Sequence, residues 1–429
     1  MTAAVFRAEW RKLTAQLSTR LLTLVCALGP LAYVLVLKTQ SGVPTDALLG
    51  VWVHTSGFSV VFVLLVFAGS WGFPVLAGVA AGDSFASEYR LGTWKTVLTR
   101  SATRGEVFAG KVLAVVALSE ALVALLALSS LVSSVFIIGR QPAVGISGNL
   151  VVSGHAVLVV LLSWLWDALP VLAFTSLAVL FSVATRSGIA GVLGPVLVGF
   201  AMQLLALVGG STWAHLLLVG SAFDGWHAIV SEHPQYDLLV VSAAVCVVWT
   251  AVCLGTAWLI LRGREFAGAV EGRGVDWPRL LRGSVAAIGG LALAAFACTW
   301  GPTGVTGDRL EASFTKTFSN LVRYQQQLLG RPAPPQSALL AYTTCSRATN
   351  DTNEGPGGDW TCSVQVLTSA VTGATPGQVS VPYDVDVQSN GCYRAQAPPA
   401  VVGTKNLTTE DGRDVLNPLL TIYGCFNTL

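Results

Sequence analysis

Seven apolar runs, each long enough to cross a lipid bilayer, constrain the fold of this chain more than any other feature. A transmembrane helix needs about 20 consecutive apolar residues. The runs cover residues 21–37, 51–81, 110–138, 151–183, 188–208, 238–261 and 283–300. Only 11% of the 429 residues are charged, whereas a soluble protein carries about 25%. The sequence therefore predicts an α-helical polytopic membrane protein with seven transmembrane helices.

The positions of lysine and arginine predict the orientation of these spans. Loops on the cytoplasmic side of a membrane are enriched in both residues. With the N-terminus inside, the inner segments hold most of the basic residues of the membrane part, and the outer loops between spans hold only Lys38 and Arg140. This orientation predicts a multi-pass protein of the cytoplasmic membrane, with residues 301–429 outside the cytoplasm.

Two regions beside the spans have an amphipathic pattern. In residues 1–20, Phe6, Trp10, Leu13 and Leu17 recur at helical spacing between charged residues, which favours a cytoplasmic helix in the membrane interface over an ordinary solvated helix. The loop 209–237 lacks Lys and Arg, and its two semi-apolar stretches are too short to span. We interpret this loop as a broken, half-inserted helical pair on the outer face.

A polar segment, residues 82–108, separates the second and third runs. It begins with Asp83, ends in basic residues, and has aromatic residues between them. The segment resembles the one that joins the second and third membrane helices in ABC transporter permeases of the second type, where a Glu-x-x-x-Gly-Thr stretch precedes a basic Arg and Gly-Lys run. The residues that carry the resemblance are Glu88, Gly92, Thr93, Arg104, Gly110 and Lys111.

The resemblance covers about residues 1–265 and implies a six-span permease domain, residues 21–265. It also implies that segment 82–108 couples the permease to a separate ATPase subunit. The residues expected to carry that coupling are Asp83, Glu88, Tyr89, Arg90, Gly92, Thr93, Trp94 and Arg104. The alternative is an interfacial helix that only anchors to lipid headgroups. The sequence contains no Walker A motif, so ATP and Mg²⁺ are expected on two copies of the partner ATPase and no cofactor on this chain.

Two carboxylates lie within the predicted spans, Glu120 in the third and Asp167 in the fourth, the latter following Trp164 and Trp166. A charge at membrane depth costs at least about 2.5–3.5 kcal/mol, and such residues usually face a cavity or a partner. These four residues are candidates for the translocation path or its gate. The alternative is a structural hydrogen bond between spans.

Residues 301–429 change in composition after a predicted cytoplasmic linker, 266–282, and the seventh span, 283–300. Four cysteines in an extracytoplasmic segment predict two disulfides. Of three possible connectivities, we favour Cys345–Cys362 and Cys392–Cys425, the pairing in sequence order. A helical pattern over 308–329 and alternating apolar residues after it predict a small α+β domain. Its role as a rigid cap or dimer contact, or as a binding domain, stays open.

Two functions are compatible with this sequence. The first is the membrane subunit of an ABC exporter, not itself an enzyme, that moves an amphipathic or lipid-like drug, antibiotic or envelope lipid. A second permease copy or a homologue would complete the path, and membrane lipid would surround it. The second is a membrane-anchored sensor or envelope assembly protein whose outer domain binds a ligand. The net charge of +2 gives no support to nucleic-acid binding.

Overall fold

The computed structural model describes residues 1–40, 48–94, 103–206, 211–232, 235–264, 290, 303–335, 341–348, 353–367, 378–409 and 411–429. The predicted linker 266–282 lies outside the described residues, and so does the predicted seventh span apart from Gly290. Residues 95–102 of the predicted coupling segment also lie outside them.

Six helical stretches among the described residues are long and apolar enough to cross a membrane, judged by length and composition. They confirm the first six apolar runs as helices. Short helices accompany them at either end. The helices of this part are α1 (Thr2–Ala15), α2 (Leu17–Thr39), α3 (Gly57–Phe67), α4 (Phe73–Ala81), α5 (Ala86–Arg90), α6 (Arg104–Ile137), α7 (Ser153–Thr185), α8 (Gly188–Ala206), α9 (Thr212–Leu216), α10 (His227–Val230) and α11 (Tyr236–Arg262).

One turn of π-helix, Ala68–Gly72, joins α3 to α4 within the second of these stretches. A π turn inserts one extra residue into the helical repeat and shifts the faces on either side of it. Here the turn lies against the 3₁₀ helix Val219–Asp224, because Gly69 leaves room for the side chain of Phe223.

The packing of α4 against α8 depends on glycine. A Cβ atom on Gly78 would clash with the carbonyl oxygen of Val192, and one on Gly191 would clash with the backbone of Gly82. Small residues allow helix backbones to approach closely where no side chains intervene. This contact fixes the end of α4, where segment 82–94 begins.

The predicted pair of helices in the loop 209–237 is found as three short pieces, which we call the broken segment, residues 211–231. They are α9, the 3₁₀ helix Val219–Asp224 and α10. Trp166 of α7 donates a hydrogen bond from Nε1 to the carbonyl oxygen of Ala222 at 2.9 Å, and so holds the middle piece against the long helices. The insertion of this segment into a membrane stays a prediction.

The C-terminal domain is an α+β unit. Helix α12 (Gly307–Leu328) packs on a five-stranded antiparallel sheet of order β3-β4-β5-β6-β9. Phe314 of α12 contacts the rings of Tyr383 and Tyr393. The strands are β3 (Ala341–Arg347), β4 (Gly357–Leu367), β5 (Gln378–Val387), β6 (Cys392–Gln396) and β9 (Thr421–Cys425). Smaller elements are the pairs β1 (Ala143–Val144) with β2 (Leu150–Val151) and β7 (Asn406–Thr408) with β8 (Asp414–Leu416), and helix α13 (Pro399–Val402).

Both disulfides of this domain join residues that face each other on neighbouring strands. Cys345 pairs with Cys362 across β3 and β4, and Cys392 with Cys425 across β6 and β9. The structure therefore contains the pairing in sequence order. Each bond fixes the register of two strands that only a modest core would otherwise hold.

The C-terminal domain lies on one end of the long helices. Asn427 donates a hydrogen bond to Asp237 at the start of α11, and Lys316 forms an ion pair with Glu232. The ring of Tyr324 contacts Trp52, just before α3. Because α3 and α4 form one continuous stretch, segment 82–94 lies at the opposite end of the same helices.

Candidate functional site

A buried ion cluster holds segment 82–94 in place. Glu88 Oε1 lies 3.0 Å from the Nζ atom of Lys111 on α6 and 2.5 Å from that of Lys12 on α1. Lys111 also lies 2.8 Å from Glu9 Oε1, and the hydroxyl of Thr93 donates to Glu88 Oε2. The side chains of Glu88 and Lys111 are 6% and 0% exposed. The two charges are thus desolvated and satisfied by each other.

Tyr89 connects the same segment to the ends of two more helices. Its ring lies between the guanidinium groups of Arg186, which follows α7, and Arg264, which follows α11, at 5.3 and 5.4 Å. Arg264 also donates a hydrogen bond to the Tyr89 hydroxyl at 2.9 Å. Cation–π contacts of this kind are attractive within about 6 Å of the ring centre. Arg186 makes its contact from a left-handed backbone conformation with φ of 58°.

The start of α5 is held by a side chain of α7 and not by a capping residue of its own. Ser182 of α7 accepts hydrogen bonds at its Oγ from the backbone N–H groups of Phe85 and Ala86, at 3.2 and 3.1 Å. Trp94 stacks on Phe85 and contacts Tyr89. The segment is therefore a compact turn in contact with α1, α6, α7 and the end of α11.

The predicted coupling residues divide into two groups in the structure. Glu88 and Trp94 are buried, and Tyr89 and Thr93 are half-buried beside them. Asp83 and Arg90 form an ion pair at the surface, and Gly92 is exposed in a left-handed conformation. The guanidinium of Arg104, at the start of α6, donates to the carbonyl oxygens of Arg262 and Arg264.

Sequence reasoning missed five residues that hold this segment: Glu9, Lys12, Ser182, Arg186 and Arg264. The spacing of charges in residues 1–20 indicated only an amphipathic helix. Because Lys12 and Glu88 are 76 positions apart, only the packing of α1 on α6 brings them together. That packing is close, since Gly110 of α6 lies against Val5.

The structure does not bring the two span carboxylates together. Glu120 is half-buried on α6 and makes no hydrogen bond or ion pair within the part of the chain that the structure describes. Asp167 on α7 is fully buried, and neither of its carboxylate oxygens has a hydrogen-bond partner among the described residues. Trp164 is buried against Phe73.

A cavity of about 590 Å³ lies between the broken segment, the long helices and the C-terminal domain. Its polar walls include Gln203 of α8, Asp224, His227 and Asn390. Asn390 donates a hydrogen bond to Asp224 Oδ2 at 3.0 Å. Asp167 of α7 lies close enough to Asp224 for the charge of Asp224 to act on it. Asp167 is thus the predicted path residue that lies next to this cavity.

His227, Cys392 and Cys425 form the group of possible metal ligands among the described residues, with their ligand atoms within 4.8 Å of one another. His227 Nδ1 is 3.3 Å from Cys392 Sγ. Metal ions bind cysteine as the thiolate, and here the two sulfur atoms are bonded to each other. Burial also lowers the pKa of His227. The group as it stands offers a metal only one ligand.

Residues 32–267 match the model of a family described as a protein of unknown function, DUF2705. The match covers more than half of the chain, and the protein belongs to this family. It includes the described parts of the six apolar helical stretches from residue 32 onward, and it ends before the C-terminal domain. Searches of curated proteins and of solved structures found no match.

Proposed function

We propose that this protein is the membrane subunit of an ABC exporter of the cytoplasmic membrane. One observation carries the proposal: segment 82–94 is bonded to the N-terminal helix and to three of the long helices. A displacement of this segment would be transmitted through Glu88 to α1 and α6, through Ser182 to α7, and through Tyr89 to the end of α11. A segment that transmits the motion of an ATPase to the membrane helices needs direct bonds to those helices.

The surface of the segment supports a contact with a separate subunit. Arg90, Leu91 and Gly92 are exposed, and Leu91 shows 65% of its surface to solvent. Glu88 faces inward, so its contribution to coupling is to hold the turn in place. The ATPase subunit, in two copies with ATP and Mg²⁺, would contact the exposed residues.

The remaining features agree with this proposal. Basic residues at the segment end favour the predicted orientation, with this end inside. The C-terminal domain lies at the other end of the helices, which the chain reaches from α11 through the predicted seventh span. A second permease copy or a homologue would form the path with this chain. The substrate would be amphipathic or lipid-like, because few charges lie in the long helices.

The substitution Leu91→Asp tests the proposal. The tagged protein is purified from its source cells in mild detergent, and the sample is analysed for a protein with a Walker A motif and for ATP hydrolysis. We expect an ATPase to copurify with the unmodified chain and to be lost with Leu91→Asp, because a charge would replace an apolar contact residue. Val401→Asp, an exposed position of the C-terminal domain, is the matched control and should retain the ATPase.

Two outcomes would contradict the proposal. One is a purified chain that carries no ATPase under conditions that preserve known transporter complexes. The other is an ATPase retained equally by Leu91→Asp and Val401→Asp. The first outcome would favour the rival function, a membrane-anchored sensor or assembly protein whose C-terminal domain binds a ligand.

A further inference from the structure

We propose that the cavity between the broken segment and the C-terminal domain binds an apolar organic cation, and that Asp224 contacts its positive charge. The cavity of about 590 Å³ falls within the range of about 300–1,000 Å³ found for small-molecule sites. The inference rests on the proposed function only in regarding this cation as a transported substrate. Binding itself requires no ATPase.

The charges around the cavity favour a cation. Asp224 makes no ion pair within the described residues, and its carboxylate accepts one hydrogen bond, from Asn390. Near it, the fully buried Asp167 has two carboxyl oxygens without hydrogen-bond partners among the described residues. A positive group beside Asp224 would stabilise its carboxylate, because an opposite charge nearby favours the ionised form.

Within the described residues, Asp224 makes no ion pair with the basic groups of the cavity wall, Arg394, His215 and His227. Arg394 lies on β6, where it faces Asp386 across the ladder with β5. Burial lowers the pKa of His227 against the opposing effect of Asp224, and its Nε2 atom is buried without a hydrogen-bond partner among the described residues. Asp224 therefore offers the cavity a carboxylate that makes no ion pair within the described residues.

The rest of the wall suits an apolar body. Val66, Met202, Leu218 and Leu238 line it from the long helices and the broken segment. Tyr423 and Phe426 line it from the C-terminal domain. Aromatic faces attract cations, and methionine adapts to ligands of different shape. The cavity thus combines one negative group with apolar and aromatic surface, the pair of features that recognises an apolar organic cation.

The π turn adds a separate observation. Ser70, which belongs to this turn, lines the same cavity. Single π turns inside α-helices are frequent at functional sites. Here Ser70 of the turn and Val66 of the preceding helix α3 line the same cavity.

A metal ion is a weaker candidate for this cavity. The sulfur atoms of Cys392 and Cys425 are joined in a disulfide, which removes the thiolates that a soft metal would need. A hard cation such as Mg²⁺ is bound through carboxylates, waters and other oxygens, whereas much of this wall is apolar.

The test compares two ions of nearly the same shape and opposite charge. Radiolabelled tetraphenylphosphonium and tetraphenylborate are equilibrated by dialysis with the full-length protein in uncharged detergent, without an ATPase. We expect saturable binding of the phosphonium only. Asp224→Asn should weaken this binding about tenfold or more, because it removes the nearby opposite charge. Asp224→Glu, which retains the charge, should restore most of it, and Asp414→Asn on the exposed strand β8 should leave it unchanged.

Three results would overturn the inference: equal binding of both ions, phosphonium binding that is unaffected by Asp224→Asn in a folded protein, or Zn²⁺ binding that depends on Asp224 and displaces the phosphonium. A folded state is verified for each variant by its thermal unfolding. Failure here leaves the exporter proposal untouched, since the ATPase experiment uses different residues at the opposite end of the helices.

Discussion

The buried ion pair of Glu88 and Lys111 holds segment 82–94 against α1 and α6. Each charge on its own would be expensive to bury, and each is satisfied by the other together with Glu9, Lys12 and Thr93. The cluster also places Lys111 near the ring of Phe85. Its members come from α1, α5 and α6, so it joins the N-terminal helix to segment 82–94.

Removing one member of this cluster should destabilise the protein strongly. Lys111→Met would remove the cation that Glu9 pairs with and leave Glu88 with Lys12 alone. We expect a loss of about 3–5 kcal/mol in the free energy of unfolding. Chemical unfolding of the purified protein in detergent measures this. The matched control is Arg413→Met, which breaks an exposed pair with Asp411 and should change stability little.

The double variant Glu88→Gln with Lys111→Met sharpens this prediction. Because the two charges satisfy each other, the loss in the double variant should be clearly smaller than the sum of the two single losses. Additive losses would show that the pair is not coupled, contrary to the geometry.

At the residue scale, sequence reasoning identified only part of this cluster. Glu88 and Lys111 belong to the pattern of glycine and charged residues that carries the resemblance to ABC transporter permeases. Glu9 and Lys12 follow no local pattern that predicts an ion pair, since their partners lie far along the chain. The inward direction of Glu88 also depends on tertiary packing, which periodicity over a five-residue helix does not reveal.

Some elements of the fold can be predicted from local sequence patterns alone. The six long helices follow from continuous apolar runs, and α6 begins earlier than its apolar run because Thr103 and Glu106 form a capping box. The π turn had no such signal, since it arises from the fit of Gly69 against Phe223. The broken segment was predicted as two helical pieces and is found as three.

The close contact of α4 and α8 leads to a prediction about glycine. Gly191→Ala should destabilise the protein by about 1–3 kcal/mol, because a Cβ atom would meet the backbone of Gly82 and force the two helices apart. Gly255→Ala is the matched control on α11, where a Cβ atom would meet no atom. Its higher helix propensity should raise stability by up to about 1 kcal/mol.

Thermal and chemical unfolding of both variants in the same detergent measures this difference. Equal stability of Gly191→Ala and Gly255→Ala would show that the helices do not depend on this backbone contact. The result also bears on segment 82–94, since Gly82 is its first residue and the contact with Gly191 determines where α4 ends.

On the scale of the whole molecule, the long helices connect two ends of different character. One end carries segment 82–94 among basic residues. The other carries the broken segment and the C-terminal domain, joined by the contacts Asn427–Asp237 and Lys316–Glu232. The sequence predicted both ends separately from charge, cysteine content and composition. The cavity between them was not predictable, because its walls come from positions spread over most of the chain.

The two disulfides and the charge distribution together predict the topology of the whole protein. If the C-terminal domain lies outside the cytoplasm, a membrane-impermeant maleimide applied to intact cells should label Cys345, Cys362, Cys392 and Cys425 only after reduction. Among the described residues, the free cysteines are Cys26, Cys246 and Cys253, which are buried in the long helices. Replacing these three and Cys298 of the predicted seventh span with alanine removes the background from cysteines outside the C-terminal domain.

Two engineered cysteines in this background provide the matched controls. Val401→Cys lies exposed on the C-terminal domain and should be labelled in intact cells without reduction. Leu91→Cys lies exposed at the opposite end of the helices and should be labelled only after lysis, because the membrane would separate it from the reagent. Labelling of both positions in intact cells, or of neither, would contradict a membrane between the two ends. Labelling of Leu91→Cys alone would reverse the predicted orientation, and with it the side on which an ATPase could act.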